Sequence, residues 1–241
     1  MTKITYFLIA CFFSVSIVSA QSDQNQQLKW LDEIVAITKK YEQSNSLLRF
    51  QKEIYYHNDE VKPTTATIGE LLIDGADNFQ MTENRQLIIQ RDETNIIVDS
   101  NTMEIIISKA QPIKNQLNID QFIAVYNAGG LVIEKKKNQD FYDYVIVFNN
   151  DENIMKMVYR INKKDELLFN EVYLSAGNYL MDNLEDESLE EPRIRFEVLS
   201  FSYDSTPLKT INFDKLFTNF DSLTLVANYQ AYSIIDLRYK K

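Results

Sequence analysis

The chain has little of the material from which most enzyme sites are built: one cysteine, one histidine and five glycines in 241 residues. A single histidine, His57, excludes multi-histidine metal sites such as H-E-x-x-H, and we expect it to be a half-exposed strand residue. Five glycines leave little for a phosphate cradle, and no G-x-G-x-x-G, Walker or G-x-S-x-G motif occurs. We therefore expect no enzyme activity, no cofactor and no metal, although catalysis by two converging carboxylates stays open.

Positive charge is also scarce, with 25 basic against 35 acidic residues and a net charge of −10. The one basic cluster is Lys135-Lys136-Lys137, which we interpret as the solvated end of a strand. A binder of nucleic acid or of anionic lipid surfaces would need a basic patch, so neither partner is expected. Residues 182–191 hold six carboxylates but lack the spacing and glycine of a calcium loop, which favours a solvated loop.

The N-terminus carries the one long apolar run. Lys3 precedes apolar residues from Ile4 to Val18, and Val18-Ser19-Ala20 offers small residues to a signal peptidase. The run is shorter than the ~20 residues of a membrane-spanning helix. We predict a cleavable signal peptide at residues 1–20 and a periplasmic protein.

A lipid anchor is the alternative at this end. Leu8-Ile9-Ala10-Cys11 has the residue types of a bacterial lipobox, and cleavage before Cys11 would leave a lipidated protein. That cut would shorten the apolar stretch and leave Phe12–Val18 as a purposeless tail, so we favour cleavage after Ala20.

The mature chain, residues 21–241, then has no cysteine and must be held together by its core. A domain of this size buries roughly 70% of its unfolded surface. We expect a single monomeric domain.

Hydrophobic periodicity predicts one long helix followed by many strands. Apolar residues three and four apart indicate an amphipathic helix over 27–45, and from Leu48 the period changes to two. Further strands are predicted at 64–73, 78–82, 86–90, 95–99, 103–108, 131–135, 141–148, 153–161, 166–174, 193–203 and, as one or two strands, within 223–237. A short helix is predicted over 119–127, closed by Gly129-Gly130, and a helical turn at 213–217. Phe141–Phe148 is apolar on almost both faces, which predicts a central strand covered on each side.

Large apolar side chains are plentiful, with fourteen Phe and fourteen Tyr spread mostly over the predicted strands. A single curved sheet has more apolar face than one helix can cover. Part of that face is therefore expected to stay open to an apolar ligand.

The order of parts resembles the outer-membrane lipoprotein carrier family, the LolA-like and LolB-like proteins. The resemblance rests on the segment from Gly69 to Met81, on the strand runs 87–89, 96–99 and 103–107, and on Tyr229-Gln230-Ala231-Tyr232-Ser233-Ile234-Ile235-Asp236-Leu237-Arg238, which is similar to a closing Y-P-G-V-E-V-I-D-L-R. This resemblance implies an α+β fold, a curved antiparallel unclosed β-barrel with the N-terminal helix and short lid helices over its open side. It also implies acyl chains carried in the cavity between, and partners among inner- or outer-membrane lipoprotein-sorting proteins.

We predict the cavity lining from one face of the early strands. The predicted residues are Phe50, Ile54, Leu71, Ile73, Phe79, Met81, Ile89 and Ile97. An error of one residue in register would invert this set. Gln80 takes the place of an arginine that helps to hold the lid in some carriers, which makes it the candidate gating position.

Three functions follow in order of preference. The first is a carrier or chaperone that shields the acyl chains of lipoproteins or other lipids on their way to the outer membrane. The second is a scaffold that has lost lipid carriage and serves as a non-enzymatic subunit of an envelope secretion or motility assembly. The third is a hydrolase of envelope material, for which no nucleophile or metal site is recognisable.

Overall fold

The computed structural model describes residues 25–42, 45–56, 60–74, 78–110, 125–126, 128–149, 154–174, 192–203 and 213–238. The predicted signal peptide with Cys11, the acidic segment 182–191 and His57 lie outside the described residues.

The predicted amphipathic helix is confirmed. Residues 25–38 form an α-helix, α1, which continues as a 3₁₀ turn at Lys39–Glu42. Its buried face consists of Leu31, Ile34, Val35 and Ile37, at the helical spacing read from the sequence.

The strands occur in the predicted order and at the predicted intervals, and most observed boundaries differ from the predicted ones by no more than one or two residues. They are β1 (Ser46–Tyr55), β2 (Thr65–Ile73), β3 (Phe79–Glu83), β4 (Gln86–Arg91), β5 (Thr94–Asp99), β6 (Glu104–Lys109), β7 (Leu131–Lys137), β8 (Phe141–Phe148), β9 (Ile154–Asn162), β10 (Leu167–Leu174), β11 (Arg193–Tyr203), β12 (Phe217–Asn219), β13 (Thr224–Leu225) and β14 (Ser233–Asp236). The tight links after β3 and β4 place Asn84 and Asp92 at φ 55° and 53°, a left-handed conformation that Asn and Asp tolerate.

Twelve of these strands form one sheet in the order β14-β6-β5-β4-β3-β2-β1-β11-β10-β9-β8-β7. All neighbours are antiparallel except β14, which runs parallel to β6. The edge strands β7 and β14 do not pair with each other, so the fold is the expected α+β unclosed half-barrel. Register shifts lie in the middle of the sheet, in the β1–β11 and β9–β10 pairs, where bulges increase local twist.

The prediction for Phe141–Phe148 is right in extent and wrong in position. β8 lies next to the edge strand β7, and only one of its faces is buried: Tyr144 and Ile146 are buried, whereas Val147 is 38% exposed. On the exposed side the Arg160 guanidinium lies 4.0 Å from the centre of the Phe141 ring. A long cationic side chain thus covers apolar surface that the sequence pattern assigned to a second layer.

Two buried clusters hold the sheet. In the first, α1 packs on strands β7 to β9, through Leu31, Ile34, Val35, Ile37, Tyr126, Leu131, Ile133, Tyr144, Ile146, Tyr159 and Ile161. In the second, the C-terminal segment from Phe213 to Ile234 packs on strands β4 to β6, around Ile89, Ile96, Val98, Ile105, Ile107, Leu216 and Phe217.

The short helix before β7 ends as the sequence predicts. Residues 125–126 are helical, and the rest of 119–127 lies outside the described residues. The N–H groups of Gly129 and Gly130 donate to the carbonyls of Tyr126 and Val125, and Gly129 has φ 72°. This is a Schellman ending, in which glycine supplies the left-handed residue. In the C-terminal segment, the turn predicted at 213–217 is present, with Phe217 N–H bonded to the Phe213 carbonyl.

Candidate ligand-binding face

The registers assign every strand residue to one of two sheet faces, because side chains alternate along a strand and paired residues share a face. We call the face that carries Ile133, Ile146 and Tyr159 the helix-side face, since α1 packs there. The second cluster, with Ile89 and Ile96, lies on the opposite face. The two cores are therefore on different faces of one sheet.

An apolar row crosses eight neighbouring strands of the helix-side face. Its members pair one with the next: Phe201, Leu48, Leu71, Met81, Ile88, Ile97, Ile106 and Ile235. We call this row the apolar stripe. All eight are half-buried, and none belongs to either buried cluster of the described residues. Seven strand spacings of about 4.8 Å make the stripe roughly 34 Å long.

Polar rows flank the stripe on strands β4 to β6. On one side lie Gln86, Asp99 and Glu104, which pair across the strands in the same row as Glu83 of β3. On the other side lie Gln90, Asn95 and Ser108. The stripe is narrow here, with a charged rim on one side and an uncharged rim on the other.

On β1 to β3 the apolar part of this face widens, and two of the added residues, Phe50 and Ile73, are buried. Phe50 lies in the row beside Leu48, and Ile73 and Phe79 pair with each other in the row beyond Leu71 and Met81. The Phe50 ring lies over Gly69, where an added Cβ would clash with the ring's Cζ. Glycine at position 69 therefore lets this aromatic ring lie close against the sheet.

The helix reaches one end of the stripe. The rings of Tyr41 and Phe201 have centroids 4.6 Å apart, and the Tyr41 hydroxyl accepts a hydrogen bond from the backbone N–H of Leu167 at 2.8 Å. Burial raises the pKa of Tyr41, which keeps the hydroxyl neutral.

A polar latch joins α1 to the sheet. Glu33 accepts hydrogen bonds from Lys135 Nζ at 2.7 Å and from the Tyr144 hydroxyl at 2.8 Å. Burial alone would raise the pKa of Glu33, but the bonds from Lys135 and Tyr144 outweigh it and lower that pKa. Burial raises the pKa of Tyr144 to about 12, so the phenol remains a donor at neutral pH.

The opposite face of strands β8 to β11 is built differently. Asp143 accepts two bonds from Arg160, at 2.7 and 2.9 Å. Arg195 lies 4.2 Å from the Phe169 ring centre and 3.8 Å from the Glu53 carboxylate. Cations on this face thus lie on aromatic rings and next to carboxylates, which compensates their charge.

The same pattern continues beside them. Arg193 lies 3.9 Å from the Tyr55 ring centre and 3.8 Å from the Glu171 carboxylate, and Lys156 lies 3.6 Å from the Tyr173 ring centre. Burial, with the hydrogen bond to Glu53, raises the pKa of Tyr55. We call this network of side chains the polar ladder.

Seven of the eight residues predicted to line a cavity share the helix-side face: Phe50, Ile54, Leu71, Ile73, Phe79, Met81 and Ile97. Leu71, Met81 and Ile97 are members of the stripe. Ile89 lies on the opposite face, fully buried in the second cluster, so a ligand on the helix-side face does not contact it. Gln80, the proposed gating position, also lies on the opposite face, between Leu72 and Ile89 in neighbouring strands.

Five stripe residues were missed by sequence reasoning: Phe201, Leu48, Ile88, Ile106 and Ile235. In β4 and β6 the reason is clear, since Leu87-Ile88-Ile89 and Ile105-Ile106-Ile107 are apolar on both faces. A continuous apolar run carries no period from which to choose a face. The sequence did contain one signal, the continuous apolar run. A strand that is apolar on both faces needs another group packed on each face.

Among the described residues no group of three or more Asp, Glu, His or Cys side chains is placed to hold a metal ion. Over the same part of the chain, no helix combines the length and the apolar character needed to cross a membrane.

No protein-family model and no curated protein matches the chain. Solved structures give distant likenesses. An uncharacterized conserved protein from Thermus thermophilus is 11% identical, covering 85% of this chain and 98% of that one, with a TM-score of 0.43. The lipoprotein LppX from Mycobacterium tuberculosis is 7% identical over 78% of this chain and 99% of its own, with a TM-score of 0.38. A candidate outer membrane lipoprotein-sorting protein domain from Vibrio parahaemolyticus is 9% identical over 80% of this chain and 97% of its own, with a TM-score of 0.31. At these scores the likenesses carry no argument about function.

Proposed function

We propose that the protein is a non-enzymatic carrier that holds the acyl chains of lipids or lipoproteins against the apolar stripe. The observation that supports this most directly is the stripe itself. It is a continuous apolar row that neither buried cluster includes, and on strands β4 to β6 the buried cluster lies on the other face of the sheet.

The dimensions suit acyl chains. A bilayer's hydrocarbon core is about 30 Å thick, so one leaflet takes about half of that. A stripe of roughly 34 Å therefore has length for two chains placed end to end. Each methylene that leaves water contributes ~0.8 kcal/mol, so a chain that buries about ten of them gains about 8 kcal/mol, which corresponds to reversible binding near micromolar.

The rims also suit a flexible amphiphile. Ligand sites are mostly apolar with a few placed polar groups, and the stripe has amide and hydroxyl groups on one side and carboxylates on the other. Release requires a state that binds the chains less tightly, which a lipoprotein-sorting partner in the envelope would favour. Export by the predicted signal at residues 1–20 would bring the carrier to the periplasm.

The test is native mass spectrometry of the mature protein, purified from the envelope fraction of its own host, with extraction and identification of bound lipid. We expect lipopeptide or acyl lipid to co-purify. A lipid-free mass that takes up no added acyl lipid would overturn the proposal and favour the interaction-subunit alternative.

A matched pair of variants assigns the binding to the stripe. Ile97→Asp places a charge in the stripe, whereas Val147→Asp places the same charge on the exposed side of β8. Loss of several buried methylene contacts predicts about tenfold weaker lipid uptake for Ile97→Asp, and unchanged uptake for Val147→Asp. Equal uptake by both variants, with both still folded by circular dichroism, would place the lipid elsewhere.

A further inference from the structure

An ion pair stands beside the wide part of the stripe. Lys52 in β1 and Glu83 in β3 reach across β2, with Lys52 Nζ 2.9 Å from Glu83 Oε1. The Thr67 hydroxyl of β2 donates to the same oxygen at 3.0 Å. All three side chains lie on the helix-side face. They form a mixed cluster of cation, carboxylate and hydroxyl, which we call the Lys52 cluster.

The surroundings of Lys52 are apolar. On its own strand and face its neighbours are Phe50 and Ile54, and across the pair with β11 it faces Phe196. The side chains of Lys52 and Glu83 are 27% and 18% exposed. Placing a charged pair in such surroundings costs desolvation, and apolar residues of similar size serve stability as well or better. Stability alone gives no reason for this pair here.

The cluster has hydrogen-bonding capacity to spare. An ammonium group has three donors, and among the described residues Lys52 uses one of them, on Glu83. Both bonds to Glu83 end on Oε1, which leaves Oε2 with no partner in the described part of the chain. A ligand lying on the stripe could therefore accept hydrogen bonds from Lys52 and donate one to Glu83 where it passes the Lys52 cluster.

The remaining charge on this rim is negative. Asp99 and Glu104 continue the row of Glu83 along the stripe. Hydrogen bonds from Gln86 and from the backbone of Asn101 lower the pKa of Asp99, so this carboxylate stays ionised at neutral pH. A phosphate head group placed along the rim would meet like charge.

We propose that the Lys52 cluster binds the polar linkage of the carried acyl chain and selects uncharged heads that have both an acceptor and a donor. An ester or amide carbonyl accepts from Lys52, and a hydroxyl or N–H of the same head donates to Glu83. This inference rests on the proposed carrier function and adds the class of head group that the carrier prefers.

The experiment compares probes that share one chain length: hexadecane, the monoacylglycerol of hexadecanoic acid and the corresponding lysophosphatidic acid. Each displaces a fluorescent long-chain probe from the mature protein. One or two hydrogen bonds to charged groups predict about tenfold tighter binding of the monoacylglycerol than of hexadecane. Lysophosphatidic acid is expected to bind more weakly than the monoacylglycerol.

Two double variants then test the cluster. Lys52→Met with Glu83→Met removes both charges together and leaves neither partner unpaired, so the fold should be kept. It should lower monoacylglycerol affinity about tenfold and leave that of hexadecane unchanged. Lys52→Gln with Glu83→Gln retains donors and acceptors without charge, and should keep most of the preference.

The control is Glu134→Gln with Lys136→Gln, which removes an exposed pair of β7 away from the helix-side face. It should bind all probes as the wild type does. An equal loss for hexadecane and monoacylglycerol in the Met variant would overturn the inference, as would tighter binding of lysophosphatidic acid by the wild type. Absence of binding by every probe to the wild type would instead refute the carrier function on which the inference rests.

Discussion

Strands β7 to β9 and strands β4 to β6 belong to one sheet, yet they bury opposite faces. In the first group α1 covers the helix-side face, and in the second the C-terminal segment covers the other. Among the described residues, each group therefore has a buried cluster on one face and none on the other. Whether a strand residue lies in a core or at the surface is therefore decided by what packs on it, and not by its own hydrophobicity.

The two faces that carry no buried cluster, one in each strand group, differ in the side chains that they present. On β8 and β9 this face carries part of the polar ladder, in which Arg160 is paired with Asp143 and lies on the Phe141 ring. On β4 to β6 it carries Ile88, Ile97 and Ile106 of the stripe. Charges that are paired and lie on aromatic rings are stable in contact with water. An apolar row that is not packed in a core is typical of a surface that binds a ligand or a partner.

The largest expected effect separates the two faces of a single strand. Ile105→Ala opens a cavity in the second cluster, where Ile105 is fully buried, and should lower the free energy of unfolding by about 2–5 kcal/mol. Ile106→Ala removes a half-buried stripe residue and should cost about 1 kcal/mol or less. Urea unfolding of both variants measures the difference.

In β8 the larger loss of stability is expected on the helix-side face instead. Ile146→Ala truncates a fully buried helix-side residue and should cost more than Val147→Ala, which truncates its exposed neighbour on the other face. Similar losses for Ile106→Ala and Ile105→Ala would mean that the stripe is packed in solution, and the contrast between the two strand groups would fail.

A smaller effect is expected where β1 and β2 meet between the two groups. In Gly69→Ala the new methyl group would meet the Phe50 ring, which must turn away from the sheet. Such overpacking costs about 1–3 kcal/mol, again measured by urea unfolding. The second change Phe50→Leu should restore most of the loss. Stability that does not change in Gly69→Ala would show that the ring does not lie on position 69.

The smallest effect concerns the latch between α1 and β7 to β9. Bonds from Lys135 and Tyr144 lower the pKa of Glu33 on folding, so the folded protein binds a proton at Glu33 less readily than the unfolded chain does. The latch therefore stabilises fully above the unfolded pKa of 4.5, and its contribution is lost as the pH falls through the lower folded value. Glu33→Gln should lose about 1–2 kcal/mol at pH 7.

Urea titrations of the wild type and of Glu33→Gln between pH 7 and pH 3 test this sign. The difference between the two proteins should shrink as the pH falls. A difference that stays constant would assign the loss to packing and not to the ionised carboxylate.

Local patterns predicted the elements well. The spacing of Leu31, Ile34 and Val35 identified α1, and Asn84, Asp92 and Gly129 marked turns or helix ends that the structure confirms. These features depend on residues close in sequence, so a single chain carries them. The alternation through β2 and β3 likewise put Leu71, Met81 and Phe79 on one face.

Ile89 shows where such reasoning stops. Ile88 and Ile89 are the same residue type in the same strand, and the structure places one in the stripe and the other in a core. Phe141–Phe148 shows the converse, since a run read as buried on both sides lies next to an edge. In both cases the deciding partner, the C-terminal segment or a cation from a neighbouring strand, comes from elsewhere in the fold.

By itself the sequence determined the helix, the strands, the turns and an excess of apolar surface, because backbone conformation and periodicity are local properties. The tertiary structure decided which face each strand buries, that the stripe is continuous over eight strands, and that Lys52 and Glu83 meet across β2. Those outcomes depend on strand order and on which segments pack where, and such long-range contacts follow from the free energy of the whole chain rather than from any local pattern.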